Sequence, residues 1–121
     1  MSKSRRNLGI WGENKAAAYL LAQGYDLIAQ NVRTDFGEID IVVQKEGVMV
    51  FVEVKTRRTR SYGYPEEGVT PKKREHLIHS ALAYLRDHPE VDGEWQIDVI
   101  AIETRYPGPP EIIHFENAIS E

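Results

Sequence analysis

The 121-residue chain contains no cysteine. Disulfides and cysteine-ligated zinc are therefore excluded, and nothing in the cysteine usage points to export. There is no apolar run long enough to cross a bilayer. The start, Met1 to Arg6, is basic, but Asn7 to Glu13 has no signal-peptide core. A cytoplasmic protein without membrane association is expected. Repeats and low-complexity segments are also missing. So is a large charge excess: the net charge of −4 counts against a general nucleic-acid coat. The length suits one domain, residues 1–121, with a core of its own.

The distribution of charge says more than its sum. Beyond Arg86 the only basic residue is Arg105, against nine acids, so the surplus of positive charge lies in residues 1–86. Lys55, Arg57, Arg58, Arg60, Lys72, Lys73 and Arg74 make up much of it. One basic face with an acidic back fits a domain that docks phosphates locally.

The stretch from Phe36 to Arg57 organises the rest. Two runs rich in Ile and Val flank Glu46-Gly47, which is a hairpin pattern. With a two-residue loop, Lys45 pairs with Val48, Asp40 falls opposite Glu53, and Glu38 opposite Lys55. One face then carries Ile39, Ile41, Val43, Val48, Val50, Val52 and Val54 and must be buried. The other carries Glu38, Asp40, Val42, Gln44, Met49, Phe51, Glu53 and Lys55. Directly opposed residues have Cβ atoms about 4.5–5.5 Å apart, where like charges destabilise. Two such carboxylates suit a hard divalent cation with oxygen ligands. Lys55 projects from the same face as Glu53. A solvated face with a Glu38–Lys55 pair is the bland alternative.

Gly37-Glu38-Ile39-Asp40, a hairpin, then Phe51-Val52-Glu53-Val54-Lys55 resembles the PD-(D/E)xK nuclease superfamily, whose fold is restriction-endonuclease-like. The match is closer to a bacterial family within it, the YraN-like proteins. Gly12-Glu13, Gly24-Tyr25, Asn31-Val32-Arg33, Thr56-Arg57 and Lys72-Lys73-Arg74 extend it over about two thirds of the chain, with a weaker tail in Ile97 to Ala101. Ile39 stands where the superfamily often has proline.

Residues 9–23 read as a helix closed by Gly24, with Ile10, Ala17, Leu20 and Leu21 as its stripe. Glu13 falls inside that stripe. It is expected to be shielded from water and to need a partner. By resemblance to archaeal Holliday-junction resolvases, Glu13 completes the metal site; favourable placement in the helix dipole is the plainer reading. Gly9 and Gly12 leave room for another backbone, such as a DNA strand. Tyr25–Arg33 reads as a strand, with Arg33 free to meet Glu38 or a phosphate. Residues 58–70 form a long loop of Arg, Tyr and Gly suited to nucleic acid. Thr70-Pro71 opens a second helix as N-cap and first residue. Lys72, Lys73 and Arg74 then oppose the helix dipole, which suggests a phosphate ligand. Leu77, Ile78, Ala81, Leu82 and Leu85 supply its stripe. Two strands follow, Trp95–Ile102 and Glu111–Phe115. No spacing argument ties Asp98 to the site.

The expected order is α-β-β-β-α-β-β, a mixed sheet with helices packed on it, and by resemblance a restriction-endonuclease-like α/β domain. The resemblance implies a metal-dependent nuclease acting on DNA, branched DNA included. Asp40, Glu53, the Val54 carbonyl and Glu13 would hold Mg²⁺ or Mn²⁺, with Lys55 as the third catalytic residue beside Asp40 and Glu53. Arg33, Arg57, Arg58, Lys72, Lys73 and Arg74 would contact nucleic acid. A homodimer is expected by analogy with resolvases. Two rivals stand beside this: a nucleic-acid-binding module without cleavage of its own, and a structural domain whose acids are surface groups.

Overall fold

The computed structural model describes residues 3–58, 69–104 and 107–120. Most of the loop expected at 58–70, Arg60 within it, lies outside them, as does Arg105. Among the described residues the elements are α1 (Lys3–Ala22), β1 (Asp26–Thr34), β2 (Gly37–Lys45), β3 (Val48–Arg57), α2 (Pro71–Asp87), β4 (Trp95–Glu103) and β5 (Glu111–Ile119). This is the expected order. The five strands form one mixed sheet in sequence order. β3 and β4 are parallel, joined through α2, and the other neighbours are antiparallel.

The β2–β3 hairpin takes the expected register: Lys45 pairs with Val48, Val43 with Val50, and Ile41 with Val52. Glu46 and Gly47 both have positive φ, 52° and 81°. That is the twist a two-residue loop needs to match the flanking strands.

Alternation along β2, β3 and β4 divides the apolar residues between two layers. Ile41, Val43, Val50, Val52, Ile100 and Ile102 pack with Ala16, Ala17 and Leu20 of α1. Val42, Met49, Phe51, Ile97 and Val99 pack with Leu77, Ala81 and Tyr84 of α2. The face expected to hold the chemistry is therefore half core: α2 covers Val42, Met49 and Phe51. Ile39 departs from the expected pattern. It belongs to the α2 layer, although two residues on Ile41 belongs to the α1 layer. The strict period of two breaks at Asp40 between them.

α1 begins six residues earlier than expected. Its buried face is Gly12, Ala16, Ala17 and Leu20, while Ile10 and Leu21 are 51% and 53% exposed. Glu13 keeps its place on the inward stripe, because 13, 16, 17 and 20 follow helical spacing. Gly12 lets α1 lie directly on β3: a Cβ built there would clash with the Thr56 hydroxyl. The room expected for a DNA strand at Gly12 is filled by the protein's own strand. Gly9 has open space around it. In α2, Thr70 caps as expected, its Oγ1 accepting from Lys73 N at 3.1 Å. The buried face is Leu77, Ser80, Ala81, Ala83 and Tyr84, and Leu82 is turned outward.

Two outcomes are expected. Glu46→Asn should raise stability by about 0.5–1 kcal/mol, because asparagine tolerates the left-handed conformation better than glutamate; a melting curve reads this. Gly12→Ala should cost about 1–3 kcal/mol by forcing α1 off Thr56, and a melting temperature unchanged from wild type would show that α1 can shift freely.

Candidate functional site

The site forms where β2 and β3 part. Their ladder ends at Ile41–Val52. Beyond that pair β2 continues along β1 as far as Gly37, and β3 continues along β4 as far as Arg57. The next backbone donor of β3 is taken by a side chain: Val54 N donates to Asp40 Oδ2 at 2.8 Å. The expected Asp40–Glu53 opposition thus survives as a contact between the carboxyls, but not as a ladder pair. Asp40 hydrogen-bonds Glu53 while also accepting from the Val54 amide. Val54 was expected to serve through its carbonyl; the contact it makes at the fork is through its N–H.

Glu13, Glu38 and Asp40 bring one carboxylate oxygen each within 4.8 Å of one another. Glu13 comes from α1, so the third acid expected from the first helix does approach the fork. Glu38 joins it, and the expected Glu38–Lys55 pair gives way to this cluster and to a loose contact with Arg33, Nε to Oε2 4.0 Å. The period-two spacing of Glu38 and Asp40 already signalled a shared side. Asn31 was not expected here. With its amide nitrogen facing the acids, it donates to Glu13 Oε1 at 2.9 Å and Glu38 Oε1 at 3.2 Å. Its φ of 54° is a conformation that asparagine tolerates, and that tolerance was the available signal.

Glu53 is 6% exposed. Its Oε2 is buried without a hydrogen bond among the described residues and lies 3.2 Å from Lys73 Nζ, an ion pair out of hydrogen-bond alignment. Lys73 therefore reaches the fork from α2, whereas Lys72 and Arg74 are exposed. Lys55 is half-buried two residues beyond Glu53. Arg57 is half-buried at the end of β3, and Arg58 is exposed next to it. Arg33 is 91% exposed.

The acids strain one another. Asp40 is pushed up to about 8, first by burial, then by its hydrogen bond to Glu53 and by the charge of Glu53, with the Val54 amide acting the other way. Glu13 is raised by burial and then by the charges of Glu38 and Glu53, against the Asn31 hydrogen bond. A divalent cation would remove this repulsion, and the donors are all oxygen, as hard cations require. Glu53, expected among the metal ligands, is not one of the three acids whose oxygens converge within 4.8 Å; it lies against Asp40, with its Oε2 facing the Lys73 ammonium.

Asp98, for which no site role was expected, is a contrasting acid. It is fully buried and fully partnered: Oδ2 meets His114 Nε2 at 2.7 Å, and Oδ1 accepts from Gln96 Nε2 at 2.9 Å and Asn117 N at 2.8 Å. Tyr19 of α1 meets the other His114 nitrogen at 3.1 Å. This network spans the irregularity in the β4–β5 ladder between Ile97 and Val99 and ties β5 to α1. Two of the acids read as an acidic back, Asp98 and Glu103, are in fact buried.

Fold and fork define an open α/β domain: a mixed five-stranded sheet between two helices, with converging acids where two strands separate. The chain belongs to the family described as "Uncharacterised protein family UPF0102", whose model matches residues 12–102. A UPF0102 protein of Syntrophomonas wolfei is 44% identical over 113 residues, covering 93% of this chain and 97% of that one. One of Dehalococcoides mccartyi is 40% identical over 121 residues, covering 100% and 99%. One of Geobacter sulfurreducens is 44% identical over 117 residues, covering 97% and 91%. Among solved structures, SfsA of Pyrococcus furiosus in complex with Ca²⁺ aligns at TM-score 0.43 and 17% identity, covering 97% of this chain and 65% of that one. So loose a likeness carries no inference about activity.

An acid with a folded pKa near 8 keeps its proton where the unfolded chain, titrating near 3.8, has lost it. Without metal, the fold should therefore lose stability as pH rises from about 4 to about 8. Asp40→Asn keeps an oxygen for the Val54 amide and has no proton to lose. It should flatten that slope and be the steadier protein at pH 8, read as melting temperature against pH in chelator.

Proposed function

We propose that this protein is a metal-dependent nuclease that hydrolyses phosphodiester bonds of DNA, branched or otherwise structured DNA included. One observation carries the reading: Glu53, buried and with an oxygen that makes no hydrogen bond, is held against Asp40 at the strand fork. At Asp98 both oxygens are fully hydrogen-bonded, whereas among the described residues Glu53 Oε2 has only the half-exposed Lys73 ammonium at 3.2 Å, out of hydrogen-bond alignment. The resemblance to PD-(D/E)xK nucleases adds the substrate class.

Asp40 and Glu53, with Glu13 and the Val54 carbonyl, would hold Mg²⁺ or Mn²⁺, and Glu38 is added to that set by its nearness to Glu13 and Asp40. The bound ion would supply an activated water and offset charge on the leaving oxygen. Asp40 must give up its proton to serve, so binding should release protons and strengthen toward pH 8. Asn31 holds Glu13 and Glu38 in place. Lys55, beside Glu53, would orient the attacking water or stabilise charge on the phosphorus oxygens. Arg33, Arg57, Arg58, Lys72 and Arg74 would bind backbone phosphates, with log affinity falling linearly with log salt.

The second reading, a binding module without cleavage, rests on the exposed Lys72 and Arg74 at the start of α2. It predicts salt-sensitive DNA binding without turnover. A cleavage screen with Mg²⁺ and Mn²⁺ over linear, flapped and four-way DNA separates the two. Glu53→Gln should abolish cleavage and the metal-induced rise in melting temperature, while above about pH 8, where Asp40 has lost its proton, the metal-free protein melts no lower than wild type because carboxylate repulsion is relieved. A much lower melting temperature in Glu53→Gln, together with no metal bound by wild type, would assign Glu53 to holding the sheet.

A further inference from the structure

We propose that Lys73 is the exchangeable counter-ion of Glu53, competing with the divalent ion for that carboxylate and passing to a substrate phosphate once displaced. This rests on the reading of Asp40 and Glu53 as metal ligands, and it assigns Lys73 a role apart from the surface cations beside it.

The geometry is asymmetric. Lys73 Nζ lies 3.2 Å from Glu53 Oε2, yet the Lys73 side chain is 42% exposed and that of Glu53 only 7%. The carboxylate is fixed in the sheet, and the ammonium enters from solvent on a flexible stem. Among the described residues that oxygen has no hydrogen bond of its own, and the ion-pair contact with Lys73 is out of alignment. Retracting the ammonium therefore breaks a contact without leaving a well-made hydrogen bond behind.

The backbone at Lys73 does not have to move. Thr70 caps α2 by accepting from the Lys73 amide at 3.1 Å, and Pro71 sets the first helical position. Only the side chain swings. A cation in the first turn opposes the helix dipole, so its place is not explained by helix stability. Once free of Glu53, the ammonium stands beside the exposed Lys72 and Arg74, where three neighbouring cations at the positive end of the helix dipole favour a phosphate.

Two cations that share one carboxylate charge repel each other, so each binds it less well in the presence of the other. The Lys73–Glu53 pair therefore opposes the ion when the protein is alone. A bound phosphate that takes Lys73 away should strengthen ion binding, and by reciprocity the ion should strengthen DNA binding. The competition keeps Glu53 neutralised without a divalent ion and couples full loading to the presence of nucleic acid.

The test is calorimetric titration of Mn²⁺ into wild type, Lys73→Ala, Lys73→Met and Lys72→Ala, each checked by melting temperature. Both Lys73 variants should bind Mn²⁺ about three- to tenfold more tightly than wild type, the scale of a half-exposed ion pair. Lys72→Ala carries the same charge change away from Glu53 and should shift affinity less than twofold. Mn²⁺ should tighten binding of wild type to a DNA duplex more than it tightens binding of Lys73→Met, and the salt slope of Lys73→Met should be lower by about one. Unchanged or weaker Mn²⁺ binding in the Lys73 variants, with wild type still binding the ion, overturns the exchange and leaves the metal site standing. A wild type that binds no Mn²⁺ overturns both.

Discussion

The bond from the Val54 amide to the Asp40 carboxylate is what the rest of the arrangement depends on. In an unbroken hairpin the donor beyond Val52 would go to a backbone carbonyl of β2, and the two strands would run on side by side. Here a side chain takes it. β2 is then free to follow β1, and β3 to follow β4. The gap between them admits groups from both layers, Glu13 from α1 and Lys73 from α2. The same break lets Ile39 turn to the α2 layer. A single replaced ladder bond therefore accounts for the fork, for the change of face and for the meeting of acids that are distant in the chain.

Two acids show how differently one sheet can treat a buried carboxylate. Asp98 fills an irregularity between β4 and β5 with bonds from His114, Gln96 and Asn117, and such a complete set satisfies both oxygens. Asp40 fills the break between β2 and β3, but one of its partners is another acid, and it is driven to keep its proton. The first arrangement braces β5 and α1. The second holds repulsion that is relieved only by a proton or a cation, which is the property expected of a functional site.

Close packing sets the precision of the fork. Gly12 allows α1 to rest on Thr56, and the next residue is Glu13. Thr70 fixes the first turn of α2 through the amide of Lys73, whose side chain then reaches Glu53. Both helices are thus anchored within one residue of the group they deliver. Thr34 adds a third anchor, its hydroxyl joining Ser80 of α2 at 3.1 Å next to the turn that leads into Glu38.

Local chemistry in the chain determined a good deal. The hairpin register followed from period-two alternation around Glu46-Gly47, because a one-residue slip would have turned every apolar side chain to the wrong layer. The α2 start followed from Thr70-Pro71, since capping involves only neighbours in sequence. The inward position of Glu13 followed from helical spacing, although the stripe it shares runs through Ala16, Ala17 and Leu20 rather than Ile10 and Leu21. Tertiary structure alone decided where the hairpin opens, because a side chain replacing a ladder bond leaves no periodic trace. It also decided that Lys73 turns inward while Lys72 and Arg74 do not, that Asn31 bridges Glu13 and Glu38, and that Asp98 braces β5. Each of these depends on which segments, far apart along the chain, come to lie side by side. Composition and spacing report what a residue can bond; only the packed sheet and helices determine what stands within reach of it.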